Sequence, residues 1–186
     1  MNETSITAGE LDGIPAGTWT IDPAHSSVGF TLRHLMSKVR GSFDDFHGTI
    51  TISEELSEST ADATISLSSI NTGVEIRDQD LRSLRFFDVE QYPTMTFQGT
   101  GLDLSGPAPS LAGNLTIKQV TRSVQIELEY LGFDETGLQG EPRVGFSGRT
   151  TLRRSDFGVG GTASDGAKIV VADTVRVELD VEAFSE

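Results

Sequence analysis

The three histidines are the side chains best suited to proton transfer or metal binding. His25, His34 and His47 could each ligate zinc, but no two of them stand at the i, i+2 or i, i+4 spacings typical of zinc ligands. His25 or His34 could act as a general base, yet the spacing places no second catalytic group beside either. We predict no metal site and no catalytic residues, and keep an enzymatic role for a histidine as an alternative.

Two further segments match catalytic or nucleotide-binding motifs only in part. Ser147 lies in Gly-Phe-Ser-Gly-Arg, where Arg149 replaces the last glycine of a nucleophile elbow. The glycine-rich segment 158–168 lacks the spacing of a dinucleotide-binding loop, and an alanine interrupts the Gly-Lys pair that a phosphate-binding loop needs. We predict that this segment is a flexible strand connection.

The other distinctive side chains are apolar. They form a set that is rich in phenylalanine and methionine and poor in tyrosine and tryptophan: Phe30, Leu35, Met36, Phe43, Phe46, Leu81, Leu84, Phe86, Phe87, Met95, Phe97 and Phe146. Adaptable methionines and flat phenylalanine rings suit a cavity for a long hydrocarbon, and they suit a filled core equally well. Composition leaves both interpretations open.

Alternation of apolar and polar residues predicts the strands that position this set. The alternation is clear at 28–32, 50–52, 63–67, 124–130 and 175–181. Turn-forming residues between these runs suit antiparallel neighbours, so we predict about eight to ten strands. Their apolar faces must be buried in two packed sheets or in one closed barrel, and the long runs 121–131 and 171–183 favour a barrel.

One segment has the pattern of a helix. Thr72 and Glu75 have the spacing of a capping box, and apolar residues at helical spacing continue as far as Phe86 and Phe87. We expect this short helix to pack on the barrel. Residues 1–16 are predicted to be a flexible N-terminal segment, and residues 17–186 to form a single domain.

Charge and composition exclude several classes of function. The 186 residues carry 14 Lys and Arg against 28 Asp and Glu, a net charge of −14, and no cysteine. Disulfides and thiolate chemistry are therefore absent, and the acidic excess counts against nucleic-acid binding and against adsorption on anionic lipid. No apolar run is long enough to span a membrane, so stable insertion is not expected. The first residues lack the pattern of a signal peptide, and a cytoplasmic location is expected.

Ordered motifs along the chain carry a resemblance to a known family. The first part contains Trp19-Thr20-Ile21-Asp22, His25-Ser26-Ser27-Val28-Gly29-Phe30 and Val39-Arg40-Gly41-Ser42-Phe43. The middle contains Ser69-Ile70-Asn71-Thr72, Arg77-Asp78-Gln79-Asp80-Leu81 and Tyr92-Pro93-Thr94-Met95-Thr96-Phe97. The last third contains Gly113-Asn114-Leu115-Thr116-Ile117 and Arg154-Ser155-Asp156-Phe157-Gly158. Over about residues 17 to 182 the chain resembles the YceI-like family of polyisoprenoid-binding proteins.

The resemblance implies an all-β fold: a single antiparallel, lipocalin-like, extended β-barrel with one short helix packed on it. In that family a long apolar tunnel holds isoprenoid quinones, prenyl chains or other long amphiphiles, and no catalytic residues are established. This implies non-enzymatic binding, carriage or sequestration of a long-chain amphiphilic lipid, with no cofactor apart from a bound polyisoprenoid or quinone-like lipid. Gln119 departs from the family pattern, which has a glycine in the turn after Ile117.

The resemblance and the strand parity select the residues expected to contact a ligand. The expected tunnel lining is Val28, Phe30, Leu32, Ile65, Leu67, Met95, Phe97 and Phe146. The expected mouth or lid is Leu35, Met36, Leu81 and Leu84. Arg77 and Arg85 are the head-group candidates, against the alternative that each makes a surface ion pair with a neighbouring carboxylate.

Two other functions remain as alternatives. One is a barrel with a filled core that acts as a structural, interaction or stress protein. The other is an enzyme that acts on a sequestered lipid. A long edge strand could also pair across a two-fold axis, so a homodimer is kept as an expectation.

Overall fold

A computed structural model describes residues 11, 13–137, 139–160 and 171–185. Within these ranges lie eleven strands: β1 Gly17–Ile21, β2 Ser27–His34, β3 Ser37–Phe43, β4 Phe46–Ile52, β5 Thr60–Ser66, β6 Ile70–Asn71, β7 Thr94–Asp103, β8 Ser110–Ile117, β9 Val120–Asp134, β10 Arg143–Arg153 and β11 Thr174–Phe184. A helix, α1, spans Glu75–Arg82.

The strands form one antiparallel sheet that closes on itself. Eight of them form a ring in the order β1-β4-β5-β7-β8-β9-β10-β11, and β1 pairs with β11 to close it. The strands β2, β3 and β6 continue the sheet beyond β11 in that order. The predicted fold class is confirmed. The closed ring shows a barrel rather than two packed sheets, and the apolar faces of its strands surround one common interior.

The extension arises because two successive strands share one neighbour. Both β1 and β2 pair with β11, β1 through Thr20 and Ile21 and β2 through residues 27–31. A short turn at Pro23–His25 separates them, and the Asp22 carboxylate accepts a hydrogen bond from the Ala24 amide at 3.0 Å. The hairpin of β2 and β3 therefore prolongs the barrel wall.

The helix differs from its predicted form. The capping box is wrong, because the residue that precedes the helix is Val74, and the Thr72 amide and hydroxyl both donate to the buried Asp78 carboxylate, at 2.9 and 2.5 Å. The helix also ends at Arg82 rather than near Phe86-Phe87. The Ser83 backbone is extended, and the chain continues in turns to Phe87.

Several predicted segments lie partly outside the described residues. Residues 161–168 of the predicted strand connection are outside them, and so are residues 1–10 and 12 of the predicted N-terminal segment. Leu11 and Ile14 of that segment are described and buried beside Trp19, which is 1% exposed. Gln119 occupies the second position of the two-residue turn between β8 and β9, with φ of 89°.

Candidate ligand-binding cavity

A cavity of about 310 Å³ lies inside the barrel. Its volume is at the lower end of the range of small-molecule sites in proteins, about 300–1,000 Å³. Each of the eleven strands contributes to its wall, together with Leu81 of α1 and the two phenylalanines that follow, Phe86 and Phe87. The cavity is therefore a property of the whole barrel rather than of a single loop.

Strand alternation builds this wall. On β2, Val28, Phe30 and Leu32 point inward while the residues between them point outward. The same period holds on β9 and β11, whose lining residues are Val124, Ile126, Leu128, Tyr130, Val175, Val177, Leu179 and Val181. Because successive strand residues face opposite sides of a sheet, one apolar position in two is enough to make the interior continuous and dry.

Glycines on neighbouring strands make room for two of the lining rings. Phe30 pairs with Gly41 across β2 and β3, and a Cβ on Gly41 would overlap the far end of the Phe30 ring. In the same way a Cβ on Gly113 of β8 would overlap the Phe97 ring of β7. The missing side chains let both rings lie along the wall, and this keeps the centre of the barrel open.

The lining is almost purely apolar. Among the described residues no histidine and no carboxylate lines the cavity. The hydroxyl of Ser59, one of the few polar lining residues, accepts a hydrogen bond from the Ser53 amide at 3.0 Å. The interior can hold hydrocarbon, and its walls offer a polar head group very little.

Arg154 is the most buried cation of the wall. Its Nε donates to the Ala172 carbonyl at 2.9 Å, its Nη1 to the Val159 carbonyl at 2.7 Å and its Nη2 to the Val171 carbonyl at 3.1 Å. Burial lowers the pKa of this guanidinium from its ordinary value. These hydrogen bonds link the segment after β10 to the segment before β11 at one end of the cavity.

The structure brings together most of the residues predicted to line the tunnel. Val28, Phe30, Leu32, Ile65, Met95, Phe97 and Phe146 all line the cavity. Leu67 does not, because β5 ends at Ser66 and Leu67 begins a short turn, where it is fully buried in the core. Contact of any of these residues with a ligand stays a prediction.

The four residues predicted for the mouth lie in two different environments. Leu81 lines the cavity, whereas Leu35 and Leu84 are mostly exposed and Met36 is 93% exposed. Leu35 and Met36 lie at the turn between β2 and β3, beyond the cavity wall. A role of these residues in ligand entry stays a prediction.

Neither head-group candidate lines the cavity. Arg77 donates from Nε to the Thr72 hydroxyl at 2.8 Å and from Nη2 to the Thr72 carbonyl at 2.9 Å. Arg85 is exposed and forms an ion pair with Asp80, with Nη1 at 2.9 Å from Oδ1. Arg85 therefore has the geometry of a surface ion pair, which was the alternative to a head-group role. Binding of a head group by either arginine stays a prediction.

Sequence reasoning missed several lining residues. The inward residues of β9 and β11 carry the alternation that predicted those strands, so the same signal could have selected them. Phe157 lines the cavity from the turn after β10, and Leu11 and Ile14 line it from the predicted N-terminal segment. These three belong to no regular strand, and no periodicity could have placed them.

Asp22, His25 and Glu182 lie close enough to hold a cation. Arg143 already occupies the carboxylates, with Nη1 at 2.8 Å from Asp22 Oδ2 and 2.6 Å from a Glu182 carboxylate oxygen. The Arg143 guanidinium and His25 together lower the pKa of Asp22 to about 2. The group therefore forms an ion-pair network that ties β10 and β11 to the end of β1.

Within the described ranges, no helix has the length and apolar character needed to span a bilayer.

Most of the chain matches the model of one protein family. The model of the YceI-like domain matches residues 19–183. A UPF0312 protein of Pseudomonas aeruginosa is 34% identical over 163 residues, which cover 86% of this chain and 83% of the relative. A UPF0312 protein of Staphylococcus aureus is 34% identical over 170 residues, which cover 88% of this chain and 95% of the relative.

Solved structures share the fold. Burkholderia cenocepacia BcnA matches with a TM-score of 0.76 at 22% identity, over 87% of this chain and 98% of that one. The Campylobacter jejuni YceI protein matches with a TM-score of 0.70 at 29% identity, over 81% and 87%. A polyisoprenoid binding domain from Saccharophagus degradans matches with a TM-score of 0.66 at 17% identity, over 90% and 98%.

Proposed function

The chain belongs to the YceI-like family, and on that premise we propose that it binds a long-chain isoprenoid, quinone or similar amphiphilic lipid inside its barrel. The observation that carries the proposal is the cavity of about 310 Å³ with its almost purely apolar wall. The structural similarity to a domain described as polyisoprenoid binding supports the ligand class.

Burial of hydrocarbon supplies the affinity. Each CH₂ group that leaves water contributes about 0.8 kcal/mol, and association itself costs about 4–15 kcal/mol. A chain of several isoprene units can exceed this cost without a hydrogen bond, whereas a single unit contributes only about 4 kcal/mol, the lower end of the cost. The polar head group belongs outside the apolar wall.

The same wall supports a non-enzymatic role. General acid–base catalysis needs a titratable group within hydrogen-bond reach of the reacting atom. His25 and His34 are exposed, and neither lines the cavity. We infer carriage or sequestration of the lipid rather than its chemical conversion, and the volume of the cavity favours this over a barrel with a filled core.

The test is a titration with quinones that share one head group and differ in the number of isoprene units. We expect the affinity to rise about tenfold or more with each added unit until the cavity is full, and then to level off. An affinity that does not depend on chain length, or is set by the head group alone, would contradict the proposal.

A cavity-filling variant provides the control. Ala63 lines the cavity, and Ala63→Phe would place a ring in the space that the hydrocarbon occupies. Thr64, its neighbour on β5, is not part of the wall. We expect Ala63→Phe to weaken binding of the longest quinone most, and Thr64→Phe to leave the whole series unchanged.

A further inference from the structure

The hairpin turn between β2 and β3 presents apolar side chains to solvent. We call residues 33–40 the β2–β3 tip. At its end Leu35 is 58% exposed and Met36 is 93% exposed, and neither lines the cavity. Two adjacent large apolar side chains at the end of a projecting hairpin are costly in water unless something covers them.

Turn geometry does not explain these residues. Leu35 has φ of 54°, in the left-handed region that favours glycine, asparagine or aspartate. Two-residue hairpin turns select the same polar or small residues for their backbone freedom. The sequence thus has a bulky apolar residue at a strained position where a polar one would serve folding better, and this suggests a role outside the fold.

The tip is also locally cationic in an acidic protein. It carries Arg33, Lys38 and Arg40, while no aspartate or glutamate occurs between Asp22 and Asp44. Arg33 and Lys38 stand directly opposite each other on β2 and β3, an arrangement that is destabilising for like charges. None of the three cations forms an ion pair with a described residue.

The tip is continuous with the cavity. The strand β2 that carries it also carries Phe30 and Leu32, which line the cavity. From Leu32 to Met36 the chain covers four residues, roughly 13 Å along an extended strand. The strand β2 therefore joins the cavity wall at Leu32 to the exposed turn through two residues, Arg33 and His34.

A third exposed apolar residue lies at the same end. Leu84, which is 78% exposed, precedes Phe86 by two residues, and Phe86 lines the cavity beside Arg154. Arg154 binds the Ala172 carbonyl, and the Ala172 amide donates to the Arg33 carbonyl at 2.8 Å. These contacts connect the turn after α1 with the base of the β2–β3 tip.

We propose that the β2–β3 tip docks on the surface of an anionic lipid bilayer, with Leu35 and Met36 among the upper acyl chains and the three cations at lipid phosphates. An apolar edge flanked by Lys and Arg is the chemistry that such a surface selects. The proposal rests on the proposed function, since docking would bring the cavity to the membrane that supplies or receives its lipid.

The net charge of −14 makes this docking short-ranged and reversible rather than stable. Repulsion between the acidic surface and anionic lipid is screened over about 8 Å at physiological salt. The acidic excess counts against adsorption of the molecule as a whole on anionic lipid, whereas the β2–β3 tip lies in a stretch without a carboxylate, between Asp22 and Asp44. The expectation of no stable membrane insertion is compatible with this arrangement.

The experiment is flotation of the full chain with vesicles of neutral phosphatidylcholine alone or mixed with anionic phosphatidylglycerol. We expect the wild type to float with the anionic vesicles only, and less so as salt rises. The double variant Leu35→Ser, Met36→Ser should have a vesicle–water partition coefficient about tenfold or more below that of the wild type. For the triple variant Arg33→Gln, Lys38→Gln, Arg40→Gln the partition coefficient should fall about a hundredfold. Leu131→Ser, an exposed leucine on β9, and Arg122→Gln with Arg149→Gln are matched controls expected to float normally.

A single variant separates docking from folding. Leu35→Asn should raise the unfolding temperature, because asparagine accepts the left-handed backbone, and yet reduce flotation on anionic vesicles. If Leu35 had only a structural role, Leu35→Asn would not raise the unfolding temperature and reduce flotation at the same time. Unchanged flotation of Leu35→Asn and of the tip variants would overturn the docking proposal, as would equal flotation of the wild type on neutral vesicles.

Binding of a long-chain quinone from solution distinguishes the two proposals. If the wild type binds the quinone but floats with no vesicles, docking is wrong and the lipid-binding function stands. If the wild type neither binds the quinone nor floats, both proposals fail. Reduced flotation of the variant that carries Arg33→Gln, Lys38→Gln and Arg40→Gln, with undiminished quinone binding, is the result that supports docking.

Discussion

Arg143 is the residue on which the ion pairs near the start of the barrel converge. Its Nη1 lies 2.8 Å from Asp22 and 2.6 Å from Glu182, and its Nε lies 2.7 Å from Glu141. These carboxylates raise the pKa of the guanidinium further above its ordinary value. The side chains of Arg143 and Asp22 are both mostly buried, so the network is stronger than the usual surface ion pair.

Substitution of Asp22 tests this network at the residue scale. The pKa of Asp22 is lowered from 3.8 to about 2 in the folded chain, so its carboxylate stabilises the fold by about 2 kcal/mol. Because the folded pKa is depressed, this stabilisation is fully present above about pH 4 and is lost as the pH falls toward about 2. We expect Asp22→Asn to lower the free energy of unfolding by about this amount at neutral pH.

Urea unfolding of both proteins across the acidic range measures the effect. The difference between the wild type and Asp22→Asn should shrink steadily between about pH 4 and pH 2. Asp62→Asn, at an exposed position on β5, serves as the control and should change little. A difference for Asp22→Asn that is the same at every pH would show that the carboxylate acts through packing instead.

At the scale of elements, the alternation of single strands determines the lining. The runs at 28–32 and 175–181 contain enough information to predict both the strand and its inward face, because the period of a strand is two. The capping box at Thr72 was a weaker signal, since a hydroxyl can serve other partners, and here it donates to Asp78 and accepts from Arg77. Local patterns predict the strands well and the helix end poorly.

The pairing of Phe30 with Gly41 gives the element-scale prediction. Gly41→Ala places a methyl group where the far end of the Phe30 ring lies, and that ring must swing toward the centre of the barrel. We expect a loss of stability of about 1–3 kcal/mol and a weaker affinity for long-chain quinones, with shorter chains affected less. Chemical unfolding and the quinone titration measure the two effects.

Gly29 offers a matched glycine on the same hairpin. A Cβ there would come no closer than 3.5 Å to the Glu178 carbonyl oxygen, an ordinary contact. Gly29→Ala should therefore keep both the stability and the chain-length dependence of the wild type. If Gly41→Ala also leaves the affinity for the longest quinone unchanged, the Phe30 ring does not bound the ligand space.

At the scale of the whole molecule, closure of the sheet converts many half-apolar strands into one cavity. Sequence patterns left the barrel and the two packed sheets as alternatives, because both bury the same faces. The choice depends on the pairing of β1 with β11, a contact between the two ends of the chain that no local pattern contains. The motif resemblance implied a barrel, and the closed ring of strands in the structure confirms it.

The size of the cavity could not be predicted either. Leu11, Ile14 and Phe157 complete its wall from segments outside the strands, and Leu67 is not part of it because β5 ends one residue earlier than its alternation suggests. Such details depend on tertiary packing. They determine the length of hydrocarbon that the barrel can hold.

Native mass spectrometry of freshly purified protein, followed by organic extraction and lipid mass analysis, shows directly whether the barrel holds a long hydrocarbon chain. We expect one polyprenyl or quinone-like lipid per chain, either already bound or taken up on incubation with ubiquinone or menaquinone. A clean apo mass that stays apo after incubation with ubiquinone, menaquinone and fatty amides would contradict this expectation.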